Sequence, residues 1–187
     1  MRQRIRLGVI MAVLALIVNF VADTPFAFAK NSRDATPVGT TATGTIDVWG
    51  AGASEYGDNA LYDVKITIED VIRGERAWEL IRVANASNPP PEEGFEYVLA
   101  RMRIACVVKR ASGNLSYKVK PDNFNVYDTN NHPYPFPAVL PPEPALIGMV
   151  FYSGDVHEGW IPFQVAKGHD RPLMFFFGGL WFQLFDQ

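Results

Sequence analysis

The stretch FEYVLARMRIACVV, residues 95–108, decides the predicted fold. Apolar residues recur at every second position along it, which is the period of a β-strand. One predicted face carries Val98, Ala100, Met102, Ile104, Cys106 and Val108, and the other carries Tyr97, Leu99, Arg101, Arg103, Ala105 and Val107. Because both faces hold apolar residues, the pattern is typical of a strand in the centre of a sheet.

Upstream of this stretch the hydrophobic period changes. From Leu61 to Ile72 apolar and polar residues alternate, which predicts a half-buried strand. From Glu75 to Ala86 the apolar residues recur at helical spacing, which predicts a three-turn amphipathic helix. Three consecutive prolines at 89–91 prevent the helix from continuing. We expect Trp78 to pack this helix onto a sheet rather than to hold a ligand.

Downstream, short alternating runs separated by turn signals predict further strands. These runs lie at 115–120, 124–128, 145–152, 158–166, 173–177 and 180–185, and a first short strand is expected at 46–49. Six prolines between 133 and 144 exclude a central strand there, because proline lacks the N–H that a ladder requires. The sequence therefore predicts a mainly β chain: an antiparallel β-sandwich of seven to eight strands, with one short helix after the first long strand.

The N terminus predicts export from the cytoplasm. Three arginines in the first six residues precede an apolar run at 7–22, and Ala-Phe-Ala at 27–29 fits a cleavage site. We therefore predict a signal peptide at 1–29, a flexible leader at 30–45 and one folded domain at 46–187. The alternative is an uncleaved N-terminal anchor. No later apolar run is long enough to predict a membrane span.

Composition narrows the classes of function. The chain has 187 residues, of which 48% are hydrophobic and 20% charged, and this balance is not that of a disordered chain. A net charge of −3 argues against a nucleic-acid binder that relies on a basic surface. The single cysteine, Cys106, cannot form an internal disulfide or a cysteine-rich zinc site.

Four segments carry a resemblance to a known family. They are VIRGERAWELI (71–81), PPEEGFEYVLARMRI (90–104), DNFNVYDTNNHPYP (122–135) and GDVHEGWIPFQVAKG (154–168). With them, the chain from Leu61 to Phe185 resembles the telokin-like, immunoglobulin-type domains of exported bacterial proteins, the superfamily that includes the mycobacterial immunoprotective extracellular antigen. The resemblance implies an immunoglobulin-like sandwich and export, and it implies no catalytic residue. Many relatives carry a lipidated cysteine at the mature N terminus, where this chain has Lys30.

Few side chains suggest chemistry. A blue-copper site needs a cysteine with a histidine close behind it, but Cys106 lies in mid-strand and no histidine follows until His132. We therefore expect a buried, inert thiol. His132, His157 and His169 fall in predicted loops. Asp155 and Glu158 flank His157, but a metal site needs three or four convergent ligands, and the sequence does not supply the rest.

Three further groups were candidates for catalysis or recognition. Ser153, Asp155 and His157 lie close in sequence but show no signature of a nucleophile elbow or an oxyanion hole. Arg101 and Arg103 share a strand face, and we expect a solvent-exposed ladder with acidic partners, with an anion clamp as the alternative. Two aromatic clusters could form an exposed patch unless the helix or the prolines cover them: Tyr134 and Phe136, and Phe175, Phe176, Phe177, Trp181, Phe182 and Phe185.

The sequence thus predicts an exported, non-enzymatic binding module located in the medium or the cell envelope. We expect no cofactor and no metal, and the partner would be an unknown protein or envelope component. The alternatives are a small-ligand or metal carrier, and an enzyme or inhibitor scaffold that uses loop residues.

Overall fold

A computed structural model describes residues 32–49, 59–111, 116–128, 130–177 and 179–185. The predicted signal peptide at 1–29 lies outside the described residues. So do 50–58 of the loop that the small residues predict at 50–59, and 112–114 of the turn predicted at 111–114. Asn59 and Ala111 belong to strands instead. In chain order the elements are β1 (Thr41–Trp49), β2 (Asn59–Arg73), α1 (Gly74–Ala84), β3 (Phe95–Ala111), β4 (Tyr117–Lys118), β5 (Phe124–Tyr127), β6 (Val150–Phe151), β7 (Val156–Ala166), β8 (Leu173–Phe176) and β9 (Leu180–Gln183).

The long strands form one antiparallel sheet in the order β1-β2-β3-β7. The predicted central strand is β3, which pairs on both sides as its two apolar faces require. Two smaller antiparallel sheets complete the described part: β5-β8-β9 and β4-β6. The prediction of a mainly β, antiparallel chain with one helix is confirmed.

A single large core lies between the long sheet and the smaller sheets. Alternate residues of β2, β3 and β7, such as Ile66, Met102 and Phe163, face buried residues of β5, β8 and β9, such as Phe124 and Phe182. Two layers that share one core are consistent with a β-sandwich. On the β1 side the two layers approach closely at Gly44, where a Cβ would lie 2.9 Å from Leu180 Cδ1.

The helix α1 covers one end of the other face of the long sheet. Its buried residues Ala77 and Ile81 pack on Tyr97 and Leu99 of β3. Trp78 packs against the same cluster, with its ring centroid 6.0 Å from that of Tyr97. The predicted packing role of Trp78 is confirmed.

Three stretches differ from their predictions. The leader predicted at 30–45 already contains structure, because β1 begins at Thr41 and the backbone of Thr36 bonds to β9. The small and polar residues of this stretch show no clear hydrophobic period, so the sequence does not predict a strand there. Its backbone hydrogen-bond partners lie in β2 and β9, far away in the sequence. The strands predicted at 115–120 and 145–152 shrink to two residues each, and the described residues hold nine strands instead of seven or eight.

Candidate functional site

The run of prolines at 133–144, which we call the proline segment, crosses the outer edge of β7. Trp160 of β7 donates its N–H to the carbonyl of Pro144 at 2.8 Å, and Leu146 donates to the carbonyl of Trp160 at 3.2 Å. Pro162, also in β7, has no N–H to offer at this edge. The proline segment is therefore an extended connection, as predicted, and it is held against the sheet.

Gly159 makes this crossing possible. A Cβ at this position would lie 2.7 Å from the carbonyl oxygen of Pro144 and 2.9 Å from the backbone nitrogen of Leu146. These contacts are with backbone atoms, which cannot move aside as a side chain can. In the Gly-Trp pair of β7, glycine thus admits the crossing backbone, and Trp160 packs with the α1 cluster.

Asn88 joins the proline segment to the end of α1. Its Nδ2 donates to the carbonyls of Ile81 and Leu140 at 2.7 and 2.8 Å, and its Oδ1 accepts the N–H of Leu140 at 2.9 Å. The side chain is buried with these bonds made. The amide donates both of its hydrogens and accepts one hydrogen bond, which leaves one lone pair of Oδ1 without a partner among these contacts. Its role is therefore to hold the proline segment in place.

Between the proline segment, the loop after α1 and β7 lies an open hollow of about 650 Å³. A second hollow of about 420 Å³ lies on the α1 side of Leu140 and Pro141, which line both. We call the two hollows together the apolar groove. Its lining is mostly aliphatic and proline: Phe136, Pro137, Val139, Leu140, Pro141, Pro142, Ala145, Ile147, Pro162, Leu80, Val83 and Ala84, with Asn85, Ser87, Asn88, Pro121, Ala138 and Glu143 completing it.

The groove carries exposed apolar side chains and little charge. Val83 is 78% exposed and Leu140 is 61% exposed, although both are apolar. No described residue that lines the larger hollow is charged, and Glu143 is the charged lining residue of the smaller one. A ligand that fits this groove is therefore uncharged and apolar along most of its length.

The histidines take part in no metal-binding group of the described residues. His157 lies in β7 and not in a loop as predicted; its ring packs edge-on against Phe151, and its Nε2 is 3.9 Å from Asp155 Oδ2. His132 approaches Asp128 in a turn, with 3.5 Å between Nδ1 and Oδ2. Within the described ranges, no group of three or more histidine, cysteine or acidic side chains could hold a metal ion.

Cys106 lies fully buried on the core face of β3. Burial, with a smaller contribution from the charge of Asp155, raises the pKa of its thiol to about 12. At neutral pH the thiol is therefore protonated and a poor nucleophile. The expected burial of this thiol is confirmed.

The other candidates also adopt structural positions. Ser153 accepts the N–H of Val108 with its Oγ at 3.1 Å, and no hydrogen bond among the described residues joins it to His157. Arg101 forms ion pairs with Glu158 and Glu69 across the outer face of the long sheet, which is the expected ladder. Arg103 lies exposed on the same face.

The aromatic clusters are largely covered. Phe176 and Phe182 lie in the core, and Phe136 contacts the ring of Phe163. Trp181 packs between Tyr127 and Phe175, with centroid distances of 5.4 and 5.1 Å. Of the six C-terminal aromatic residues only Phe177 is strongly exposed, at 49%. The C-terminal cluster therefore does not form a broad exposed patch, and the apolar groove has the more continuous apolar lining.

A polar junction lies beside the start of the proline segment. The Tyr134 hydroxyl is 3.0 Å from His169 Nδ1. Arg73 pairs with Glu96 at 2.5 Å and donates to the carbonyls of His169 and Asp170. Burial, followed by the nearby Arg73 guanidinium, lowers the pKa of His169 below its usual range. The neutral imidazole of His169 can therefore accept a hydrogen bond from the Tyr134 hydroxyl at Nδ1.

Sequence reasoning missed the residues that build the groove. Asn88 follows α1 and precedes three prolines, a position where an amide can cap a helix end, but its partner Leu140 is 52 residues away. Gly159 is part of a segment that carries the family resemblance. A glycine is required at this position because the backbone of a distant segment passes close to it, and the local sequence does not reveal that.

Comparisons with known proteins do not extend this description. A scan against protein-family models, a search of curated proteins and a search of solved structures each return no match. Among the described helices, none is both long and apolar enough to cross a bilayer.

Proposed function

We propose that this chain is an exported, non-enzymatic binding module with an immunoglobulin-like β-sandwich, and that the apolar groove receives an uncharged, apolar segment of a partner protein. The observation that carries the proposal is the combination of Val83 and Leu140, exposed and apolar, on a groove that is almost free of charge. Exposed apolar surface of this kind is typical of interaction sites.

The shape of the groove favours a polypeptide segment over a small molecule. Both hollows are open to solvent and lie side by side along Leu140 and Pro141, which form a ridge between them. Small-molecule sites enclose most of their ligand. An extended polypeptide segment instead fits an open groove in which neighbouring hollows receive different side chains. The partner side chains that enter the hollows would be apolar.

Selection from a displayed library of random peptides tests this proposal. Peptides are selected on the chain and counter-selected on Leu140→Glu, which places a charge on the ridge at an exposed position where folding tolerates it. The matched control is Val107→Glu, a 56% exposed valine of β3 outside the groove. We expect uncharged, apolar peptides that lose at least tenfold in affinity for Leu140→Glu and keep it for Val107→Glu.

Two results would contradict the proposal. Selected peptides that bind both variants equally would place the site elsewhere. If no peptide is selected but the neutral fluorophore N-phenyl-1-naphthylamine binds saturably, and Leu140→Glu abolishes that binding, the alternative of a small-ligand carrier replaces the interaction module.

A further inference from the structure

The two larger sheets have four outer edges, and three of them are covered by chain. The edge of β7 is crossed by the proline segment at Trp160. The edge of β9 is bonded to Thr36, and the edge of β5 is bonded to Tyr134. The fourth edge belongs to β1, and no described segment pairs with it. We call this the open edge and the edge of β7 the covered edge.

Hydrogen-bond alternation identifies the free groups of the open edge. Gly39 donates to the carbonyl of Ile68 at 2.7 Å, so Ile68 directs its carbonyl toward β1. In an antiparallel ladder alternate residues point to the same neighbour. Ile66, Val64 and Tyr62 therefore also point to β1, where their register partners are Ala42, Gly44 and Ile46. The N–H and C=O groups of Thr41, Thr43, Thr45 and Asp47 consequently point away from the sheet.

Side-chain contacts agree with this assignment. The Oγ1 atoms of Thr41 and Thr67 lie 2.7 Å apart, and Thr45 donates to Asp63 at 3.1 Å. Direct contacts of this kind are typical of register partners that do not exchange backbone hydrogen bonds, because their side chains are closer. Thr41 and Thr45 thus have backbone groups free for a strand on their other side.

The open edge has one charge that could oppose pairing, Asp47, whose Oδ1 is buried with no hydrogen-bond partner among the described residues. Edge strands are commonly blocked by proline, by lysine or by an inward-pointing charge. The sequence TATGTIDVW at 41–49 contains neither proline nor lysine, and Asp47 is its sole charged residue. The covered edge, in contrast, has Pro162 in the strand itself.

We propose that the open edge pairs with β1 of a second copy of this chain, so that the two long sheets become one continuous eight-stranded sheet. Two copies of one strand related by a two-fold axis are antiparallel, and the same patch serves both sides. With the axis at Gly44, the outward groups of Thr43 meet those of Thr45 in the other copy.

Charge is compatible with this self-pairing. With the axis at Gly44, Asp47 of each copy lies opposite Thr41 of the other, so the two carboxylates do not face each other. Between Thr41 and Asp47 the remaining residues on that face are Thr43 and Thr45, and threonines form favourable cross-strand pairs.

Sedimentation velocity of the full chain over a range of concentrations tests the proposal. We expect a monomer–dimer equilibrium that Thr43→Pro weakens at least tenfold, because proline removes one outward N–H without removing a bond to β2. Thr43→Lys serves if the proline variant fails to fold. The matched control is Val107→Lys, which adds the same charge to the same face of the long sheet at a 56% exposed position of β3. It lies two strands away from the edge and should leave the dimer unchanged.

Amide hydrogen exchange identifies the strand involved. The amides of Thr41, Thr43, Thr45 and Asp47 should exchange slowly only at concentrations where the dimer forms. A chain that stays monomeric to about 1 mM, a range within which weak complexes still assemble, would overturn the proposal. Protection of these amides in the monomer would also overturn it, because another part of the same chain would then occupy the edge. So would equal weakening of the dimer by Thr43→Lys and Val107→Lys.

Discussion

The two outer edges of the long sheet show opposite solutions to the same problem. At the covered edge, Gly159 admits a crossing backbone, Trp160 bonds to it, and Pro162 offers no donor. At the open edge, β1 presents four residues whose backbone groups point away from β2 and meet no partner in the described part of the chain. A segment that crosses an edge occupies part of its backbone groups and forms a groove beside it. An edge strand without such a segment has N–H and C=O groups that can pair with another strand. The comparison separates the two proposed recognition surfaces: a groove beside a covered edge, and the backbone of an open one.

The largest expected effect comes from closing the space at Gly159. In Gly159→Ala the new Cβ would lie 2.7 Å from the carbonyl oxygen of Pro144, so the proline segment must move or detach. We expect a loss of about 3 kcal/mol in the free energy of unfolding, the upper part of the usual range for overpacking. Urea unfolding measures it. A loss below about 1 kcal/mol would show that the crossing is loose.

The next effect concerns the anchor of the proline segment to α1. Asn88→Ala removes two donated bonds and one accepted bond, and leaves the carbonyl and N–H of Leu140 without these partners. Buried polar groups without a hydrogen-bond partner cost about 1–3 kcal/mol each. Partial access of water should keep the total loss at about 2 kcal/mol. Urea unfolding measures the loss, and peptide binding in the groove should weaken in the same variant.

Exposed Ser87, one residue earlier, provides the control for this change. Ser87→Ala alters a side chain near the same hollow without touching the bonds to Leu140. We expect it to stay within about 0.5 kcal/mol of the parent chain. Equal losses in the two variants would mean that Asn88 does not anchor the segment.

A smaller effect is expected from the corresponding glycine on the β1 side. In Gly44→Ala the Cβ would meet Leu180 Cδ1 at 2.9 Å, but that atom is the end of a flexible side chain. We expect a loss of about 1 kcal/mol, at the lower end of overpacking costs. A double-mutant cycle with Leu180→Ala checks the cause, because the loss should disappear when the leucine is shortened. An unchanged loss would place the strain elsewhere.

The smallest effect is a dependence on pH at the start of the proline segment. The pKa of His169 is lowered in the folded chain, so the unfolded chain binds the proton more readily. The contribution of His169 to the free energy of unfolding is therefore fully present above the ordinary histidine pKa of about 6.5. It is lost as the pH falls from there through the lower pKa of the folded chain. His169→Gln should reduce the difference in unfolding free energy between pH 7 and pH 5. An unchanged difference in His169→Gln would contradict the prediction.

Local pattern was enough to predict most of the elements. Apolar residues recur with a period of two in β2 and β3 and with a period near 3.6 in α1. Both periods arise from burial of particular faces and can be recognised from consecutive residues. The prolines at 133–144 likewise predicted an extended connection, because their effect on the backbone is local. β1 was predicted only from residue 46 onward, since its small and polar residues carry little periodic signal.

The site itself depended on contacts between distant parts of the chain. The sequence by itself determined a mainly β chain with one helix, a core-facing Cys106 and a proline run that cannot join a ladder. Only the tertiary structure decided that Asn88 meets Leu140, that Gly159 lies beneath Pro144 and that the β1 edge is left without a described partner. The physical reason is that periodicity reports which face of an element is buried, whereas the segment that covers it is set by packing between elements far apart in the chain.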